Sequence, residues 1–259
     1  MLSIRVQRNL ILATLLVLAA LAWGLLVWQA THADRMMAMT PTMGMGAGPW
    51  LAIWVAMMVA VMFPTAAPMV LVFGQVHASR GRREQPFVPT WAFVSAYLLV
   101  WALAGALAYV GALTAERLAA QSPWIVANAG RLGGLVLVVA GLYQLSPLKE
   151  RCLEKCRSPL AFVTSSWREG YRGAFRMGLE HGLYCLGCCW LLFVILFPLG
   201  MLNIAALAAL TLLIFAENAL PLGQRVRQVV ALTLIAYGLF AVALPQVLPT
   251  MHGVGQNSM

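Results

Sequence analysis

The stretch HGLYCLGCCW, residues 181–190, holds three of the five cysteines and one of the four histidines of the chain. Its ligand candidates are His181, Cys185, Cys188 and Cys189. At about 100° per residue, all four fall on one face of a helix. Thiolates with an imidazole one turn away suit Cu(I) or Zn(II). One helix cannot close a coordination shell, because its neighbouring side chains point the same way, so a second element must contribute ligands.

A second cysteine pair lies upstream in CLEKC, where Cys152 and Cys156 share a face if the segment is helical. The surrounding cations are Lys149, Arg151, Lys155 and Arg157, and nearby cations lower the pKa of a thiol. The metal hypothesis requires one cysteine of this pair to lie within ligand reach of Cys185 or Cys188. The alternative is an inert role for both motifs, since cysteine is a common buried small hydrophobe.

Methionines form a second pattern. The loop at residues 31–48 carries His32, Met36, Met37, Met39, Met43 and Met45, and thioethers in a mobile loop can bind Cu(I) on an oxidising face. The stretch WVAMMVAVMFPTAAPM adds Met58 and Met62 on one helical stripe, with Pro64 and Pro68 expected to kink the helix beside a cavity. The alternative interpretation is ordinary apolar filling.

The composition requires these residues to be positioned by membrane helices. The chain is 62% hydrophobic and 10% charged, with a mean hydropathy of +0.84, whereas a soluble domain carries about 25% charged residues. The net charge of +9 comes from basic residues between apolar runs, which excludes a nucleic-acid-binding surface and indicates topology determinants. We therefore predict one all-α polytopic membrane bundle over residues 1–259.

Seven apolar runs are long enough to be membrane spans. They cover residues 10–30, 50–74, 91–113, 132–145, 178–199, 204–217 and 229–247. With the N-terminus in the cytoplasm and the C-terminus outside, fourteen of the 17 Lys and Arg residues lie on the cytoplasmic side. Residues 31–48 are then an outer loop and residues 147–177 a cytoplasmic segment, in which Trp167, Tyr171 and Phe175 predict a helix along the membrane surface.

The segments GLYQLSPLKERCLEKCRSPLAF, WREGYRGAFRMGLEHGLYCLGCCW and WVAMMVAVMFPTAAPM resemble a bacterial family of predicted metal-binding integral membrane proteins of unknown function. The resemblance covers residues 50–223 and rests on paired C-x3-C and H-x3-C-x2-C-C motifs. The matching positions are Pro147, Leu148, Lys149, Cys152, Cys156, Arg157, Ser158, Pro159, His181, Gly182, Cys185, Gly187, Cys188, Cys189 and Trp190. The resemblance implies a multi-span inner-membrane protein that binds metal, with no assigned reaction. Where the family has Glu-Lys, this chain has Glu217-Asn218, which argues against an ion pair there; Glu217 would instead balance Arg225 or a nearby basic loop.

The leading hypothesis is a copper-handling membrane protein, with zinc as the other candidate metal. The outer loop would capture Cu(I), Met58 and Met62 would offer a path, and the Cys/His set would hold the ion on the cytoplasmic side. No ATPase motif is present, so metal movement would be passive or coupled elsewhere, and an enzyme is not favoured. Partners would be the bilayer, other membrane proteins or a soluble metal carrier. Alternatives are a thiol redox protein using Cys185 and Cys188, or an accessory subunit of a membrane complex.

Overall fold

The computed structural model describes residues 4–32, 40–80, 87–220 and 222–251. The described chain is helical, with no strand among these residues, as the sequence predicts. The helices are α1 (Ile4–His32), α2 (Ala47–Arg80), α3 (Phe87–Gln121), α4 (Pro123–Gln144), α5 (Pro147–Arg157), α6 (Pro159–Ser165), α7 (Gly170–Val194), α8 (Leu196–Leu199), α9 (Ile204–Ala219) and α10 (Gly223–Ala243). Two 3-10 turns, Pro245–Val247 and Pro249–Met251, follow.

Six helices of the described residues are long and apolar enough to cross a membrane. They are α1, α2, α3, α4, α7 extended through α8, and α10. The fourth span is longer than the sequence predicts, because its helix begins at Pro123 after Ser122 rather than at residue 132. The sixth predicted span corresponds to α9, which is apolar but has 16 residues. The count of seven spans stays a prediction.

Contacts between the helix ends fall into two sets. At one end, Arg157 of α5 donates a hydrogen bond to the carbonyl oxygen of Leu220, which follows α9. Glu150 of α5 pairs there with the guanidinium of Arg227 in α10. At the other end, the Glu116 carboxylate of α3 accepts hydrogen bonds from the backbone and hydroxyl of Thr42. The two sets distinguish two ends of the bundle. We call the end that contains α5 the inner end.

The basic segment at residues 147–177 does not include the predicted surface helix. Trp167 lies between α6 and α7, and its ring packs against Phe73 of α2 at a centroid distance of 6.0 Å. Tyr171 and Phe175 belong to α7, which continues into the apolar region. That prediction was wrong because the three aromatic residues, although spaced four apart, do not share one helix: α7 begins at Gly170, after Trp167.

Helices α3 and α7 approach closely through glycines of α7. Gly178 faces the carbonyl oxygen of Phe93, and a Cβ at Gly182 would lie 2.9 Å from Cγ2 of Val100. Small residues allow helix backbones to approach in membranes. Through this contact, α7 packs against α3 on the face that carries His181 and the cysteines.

We expect Gly178→Ala to lower the free energy of unfolding by about 1–3 kcal/mol, because the added methyl group overlaps the Phe93 carbonyl oxygen and forces the helices apart. The measurement is denaturant unfolding in detergent. Gly111→Ala in α3 is the matched control, since a Cβ there meets nothing within 4 Å. Equal stability of the two variants would contradict a tight α3–α7 contact.

Candidate metal centre

The buried face of α5 brings the CLEKC motif against α7. Ser146 caps the N-terminus of α5 by accepting a hydrogen bond from the backbone of Lys149, and Pro147 occupies the first turn. Lys149, Cys152, Leu153 and Cys156 then recur at i, i+3, i+4 and i+7, which places them on one face. Lys149 and Leu153 are buried, so this face points into the bundle.

The two cysteine motifs meet. The Sγ atoms of Cys156 and Cys188 are 4.0 Å apart, and Cys156, Cys185 and Cys188 have all three Sγ atoms within 4.8 Å of one another. The predicted proximity of the motifs is confirmed. In a trigonal site with metal–sulfur bonds of about 2.3 Å, the Zn–S value, the sulfurs lie about 4 Å apart. The Cys156–Cys188 pair has this spacing, and the thiol of Cys185 lies within 4.8 Å of both.

Two more sulfur atoms border this group. The Sγ atom of Cys189 lies 3.2 Å from that of Cys188, and the Sδ atom of Met62 in α2 lies 3.9 Å from the Sγ atom of Cys185. A separation of 3.2 Å is shorter than the spacing of two thiolates on one trigonal ion, so Cys189 is a neighbour that would have to move to become a ligand. The donor set is soft throughout.

The structure does not bring the whole predicted ligand set together. Cys152 faces Gly187, at which an added Cβ would lie 2.7 Å from its Sγ atom, and lies outside the three-thiol group. The His181 ring stacks on Phe93 and Tyr97 at centroid distances of 5.8 and 5.4 Å and also lies outside the group. The predicted convergence of all five cysteines and His181 is thus partial. The contact between α5 and α7 extends over more than one helical turn, so Cys152 and Cys156 meet different parts of α7.

The CLEKC thiols are not the activated thiolates that the surrounding cations predict. Burial raises the pKa of the Cys152 thiol, and interaction with the Cys185 thiol, ahead of burial, raises the pKa of the Cys156 thiol. The predicted lowering is wrong because the thiols face the bundle, whereas Arg151 and Lys155 are exposed and the buried Lys149 is paired with Glu217. A metal must therefore displace protons when it binds.

The predicted outer methionine site is only partly described. Met36, Met37 and Met39 lie outside the described residues. His32 is exposed and stacks on Trp28, whereas Met43 is buried and Met45 packs against the core. Met58 is buried in the same core as Met62. The described part of the loop is thus folded onto the bundle, and a ligand role for its methionines stays a prediction.

Two tyrosines that sequence reasoning missed hold the cysteine-bearing helix. The hydroxyl of Tyr97 in α3 lies 3.2 Å from the Sγ atom of Cys185. The hydroxyl of Tyr143 in α4 donates to the carbonyl oxygen of Gly187. The available signal is weak: a Tyr in an apolar span must find a polar partner, but the sequence does not say which one.

A buried ion pair lies beside the thiols. Lys149 Nζ is 2.7 Å from Glu217 Oε2, and each side chain is 1% exposed. Gln144 Nε2 donates to the other carboxylate oxygen at 3.1 Å. Glu217 therefore balances Lys149 of the basic segment at residues 147–177, which agrees with the second of the two partners predicted for it, and not with Arg225. The sequence analysis named Lys149 only as one of the cations around the CLEKC thiols, although Glu217 in an apolar helix indicates the need for a buried partner.

A cavity of about 230 Å³ opens beside Cys156 and Cys185, two of the three thiols. Cys156, Cys185 and His181 line one wall, and Pro68 of α2 lines another. The helix α2 runs through Pro64 and Pro68, and the second of these prolines borders the cavity. The thiols are thus buried in the bundle yet bordered by open space.

Comparison with known proteins agrees with a metal centre. Residues 51–241 match the model of the family described as "PpoB2: Copper chaperone". No curated protein and no solved structure gives a significant match. The family match covers most of the chain, including both cysteine motifs and the helices that position them. The chain therefore belongs to the PpoB2 copper chaperone family.

Proposed function

We propose that this protein is a membrane-embedded chaperone that holds one Cu(I) ion on Cys156, Cys185 and Cys188 and releases it by thiolate exchange. The observation that carries this proposal is the meeting of three thiols from α5 and α7 within 4.8 Å of one another. The family match and the cysteine cluster support metal handling, and the six apolar helices support a multi-pass membrane protein.

The donor set favours Cu(I) over Zn(II). Structural zinc sites are almost always four-coordinate and tetrahedral, whereas the described group offers three thiols and no carboxylate or imidazole. The neighbouring sulfur of Met62 is a thioether, a soft ligand that selects Cu(I). A three-thiolate site also leaves the ion open to an entering ligand, which suits an ion that is cargo.

The inner end of the bundle is, in this proposal, the cytoplasmic side of the bacterial inner membrane. The basic residues around α5 favour that orientation. The contact between Met62 and Cys185 supports a path for copper along α2 from the outer side to the thiols. Passive delivery or acceptance would involve a soluble carrier or another membrane protein.

The test is Cu(I) binding by the full chain purified anaerobically in detergent, measured by elemental analysis and competition with a Cu(I) chelator. We expect about one equivalent of Cu(I) per wild-type chain, because one three-thiol group is present among the described residues. The Cys185→Ser/Cys188→Ser variant should lose it. A folded wild-type chain that takes up no Cu(I) on titration would contradict the proposal.

The second candidate function is thiol redox chemistry. The observation that favours it is the position of the Cys188 thiol, which contacts both Cys189 and Cys156. Alkylation mapping in cells separates the two functions. Thiols protected until a chelator is added indicate metal, whereas a disulfide at Cys188 that forms and disappears with growth conditions indicates redox.

A further inference from the structure

The cavity beside the thiols has chemistry that metal holding does not use. Its walls come from α2, the α5–α6 junction, α7 and the end of α9. Besides the sulfurs it is lined by Arg157, His181 and Asn218. At about 230 Å³ it is smaller than the usual pocket for drug-sized ligands, about 300–1,000 Å³. A molecule the size of an amino acid or short peptide fits this space, whereas a protein loop does not.

Two of these residues present buried polar atoms without partners. His181 is 2% exposed, and its Nδ1 atom has no hydrogen-bond partner among the described residues. The same holds for Oδ1 of Asn218. Buried polar groups are ordinarily hydrogen-bonded, and each exception needs an explanation. Both atoms are enclosed by protein, so the two residues contact the cavity through their other side-chain atoms.

Arg157 determines the charge of a ligand in this cavity. One of its N–H groups donates to the carbonyl oxygen of Leu220 at 2.9 Å, which anchors the guanidinium. Arg157 lines this cavity and also a neighbouring one that contains Glu150 and Glu154. An anchored guanidinium binds carboxylates well because its remaining donors are preorganised. Asn218 adds an uncharged polar side chain to the same lining.

We propose that the cavity binds a small thiol that carries a carboxylate, such as cysteine or a short cysteine-containing peptide, and that this thiol exchanges Cu(I) with the site. The inference rests on the proposed function. The carboxylate binds Arg157 and the sulfur enters between Cys156 and Cys185. A new sulfur–copper bond forms as the Cys185–copper bond breaks, and the proton of the entering thiol passes to the departing thiolate. Copper stays Cu(I) throughout.

The experiment compares two thiols that differ in one group, 3-mercaptopropionate and 2-mercaptoethanol. The full chain in detergent is loaded anaerobically with Cu(I), and release to a chromophoric chelator is followed at equal thiolate concentrations. We expect release to be about tenfold faster with 3-mercaptopropionate, the effect of one charge-assisted hydrogen bond. Arg157→Gln should abolish this advantage. Arg151→Gln, which removes an exposed charge from the same helix, should keep it.

A second variant tests the cavity without changing Arg157. Ala219 is exposed and lines the cavity, so Ala219→Phe should slow release with both thiols while the Cu(I) content per chain stays unchanged. A wild-type chain that binds no Cu(I) overturns both this inference and the proposed function. Normal Cu(I) loading with equal rates for the two thiols, or an advantage that survives both Arg157→Gln and Ala219→Phe, overturns this inference alone.

Discussion

Cys156→Ser is expected to weaken Cu(I) binding by more than about 100-fold, whereas Cys152→Ser should leave it nearly unchanged. Loss of a partner outside the coordination shell already costs about 10–100-fold in metal affinity, and removal of one of three ligands should cost more. Cys156 belongs to the three-thiol group, whereas Cys152 faces Gly187 outside it. The measurement is competition with a Cu(I) chelator of known affinity.

Each of these variants is the control for the other, because both replace one thiol on the same helix face with a hydroxyl. Unfolding in detergent should show similar stabilities, so that a difference in copper content reports ligation. Equal losses of affinity in Cys152→Ser and Cys156→Ser would mean that α5 shifts when copper binds. Unchanged affinity in Cys156→Ser would remove α5 from the metal site and contradict the proposed function.

The sequence predicts the helical class and much of the site, because both follow from local periodicity. The spacing of His181, Cys185, Cys188 and Cys189 gives their common face directly, and the alternation of basic loops brings CLEKC to the same end of the bundle. The choice between Cys152 and Cys156 cannot be predicted in this way. Both lie on the buried face of α5, and the inclination of α5 against α7 decides which thiol reaches Cys188.

Burial of single side chains is the other part that local patterns do not give. Lys149 lies in a strongly basic segment, where a lysine is ordinarily exposed. Yet α5 begins at Pro147, after the capping residue Ser146, and this start places the Lys149 side chain on the buried face of the helix. Met43 shows the same error. It lies in a loop rich in glycine and methionine, but it is buried against the bundle, because long-range contacts such as that between Thr42 and Glu116 fold the loop back.

Lys149→Met is expected to lower the free energy of unfolding by about 3–5 kcal/mol, the usual cost of breaking a buried ion pair. The substitution leaves the Glu217 carboxylate buried at 1% exposure, with only the hydrogen bond from Gln144 to offset it. Denaturant unfolding in detergent measures the effect. Lys155→Met is the matched control, since it removes an exposed ammonium from the same helix and should change stability by less than about 0.5 kcal/mol.

The double variant Lys149→Met/Glu217→Leu separates the cost of an unpaired buried charge from the role of the ion pair in positioning Cys156. Replacement of both partners by apolar side chains should restore most of the lost stability, because no buried charge is left unpaired. Cu(I) affinity is the second measurement. The ion pair joins α5 to α9 on the same face of α5 as Cys156, about two turns away. Restored stability with weakened Cu(I) binding would therefore show that the pair positions Cys156. Restoration of both the stability and the Cu(I) affinity would mean that apolar packing holds α5 in place as well as the ion pair does. A single variant as stable as wild type would contradict the buried pair itself.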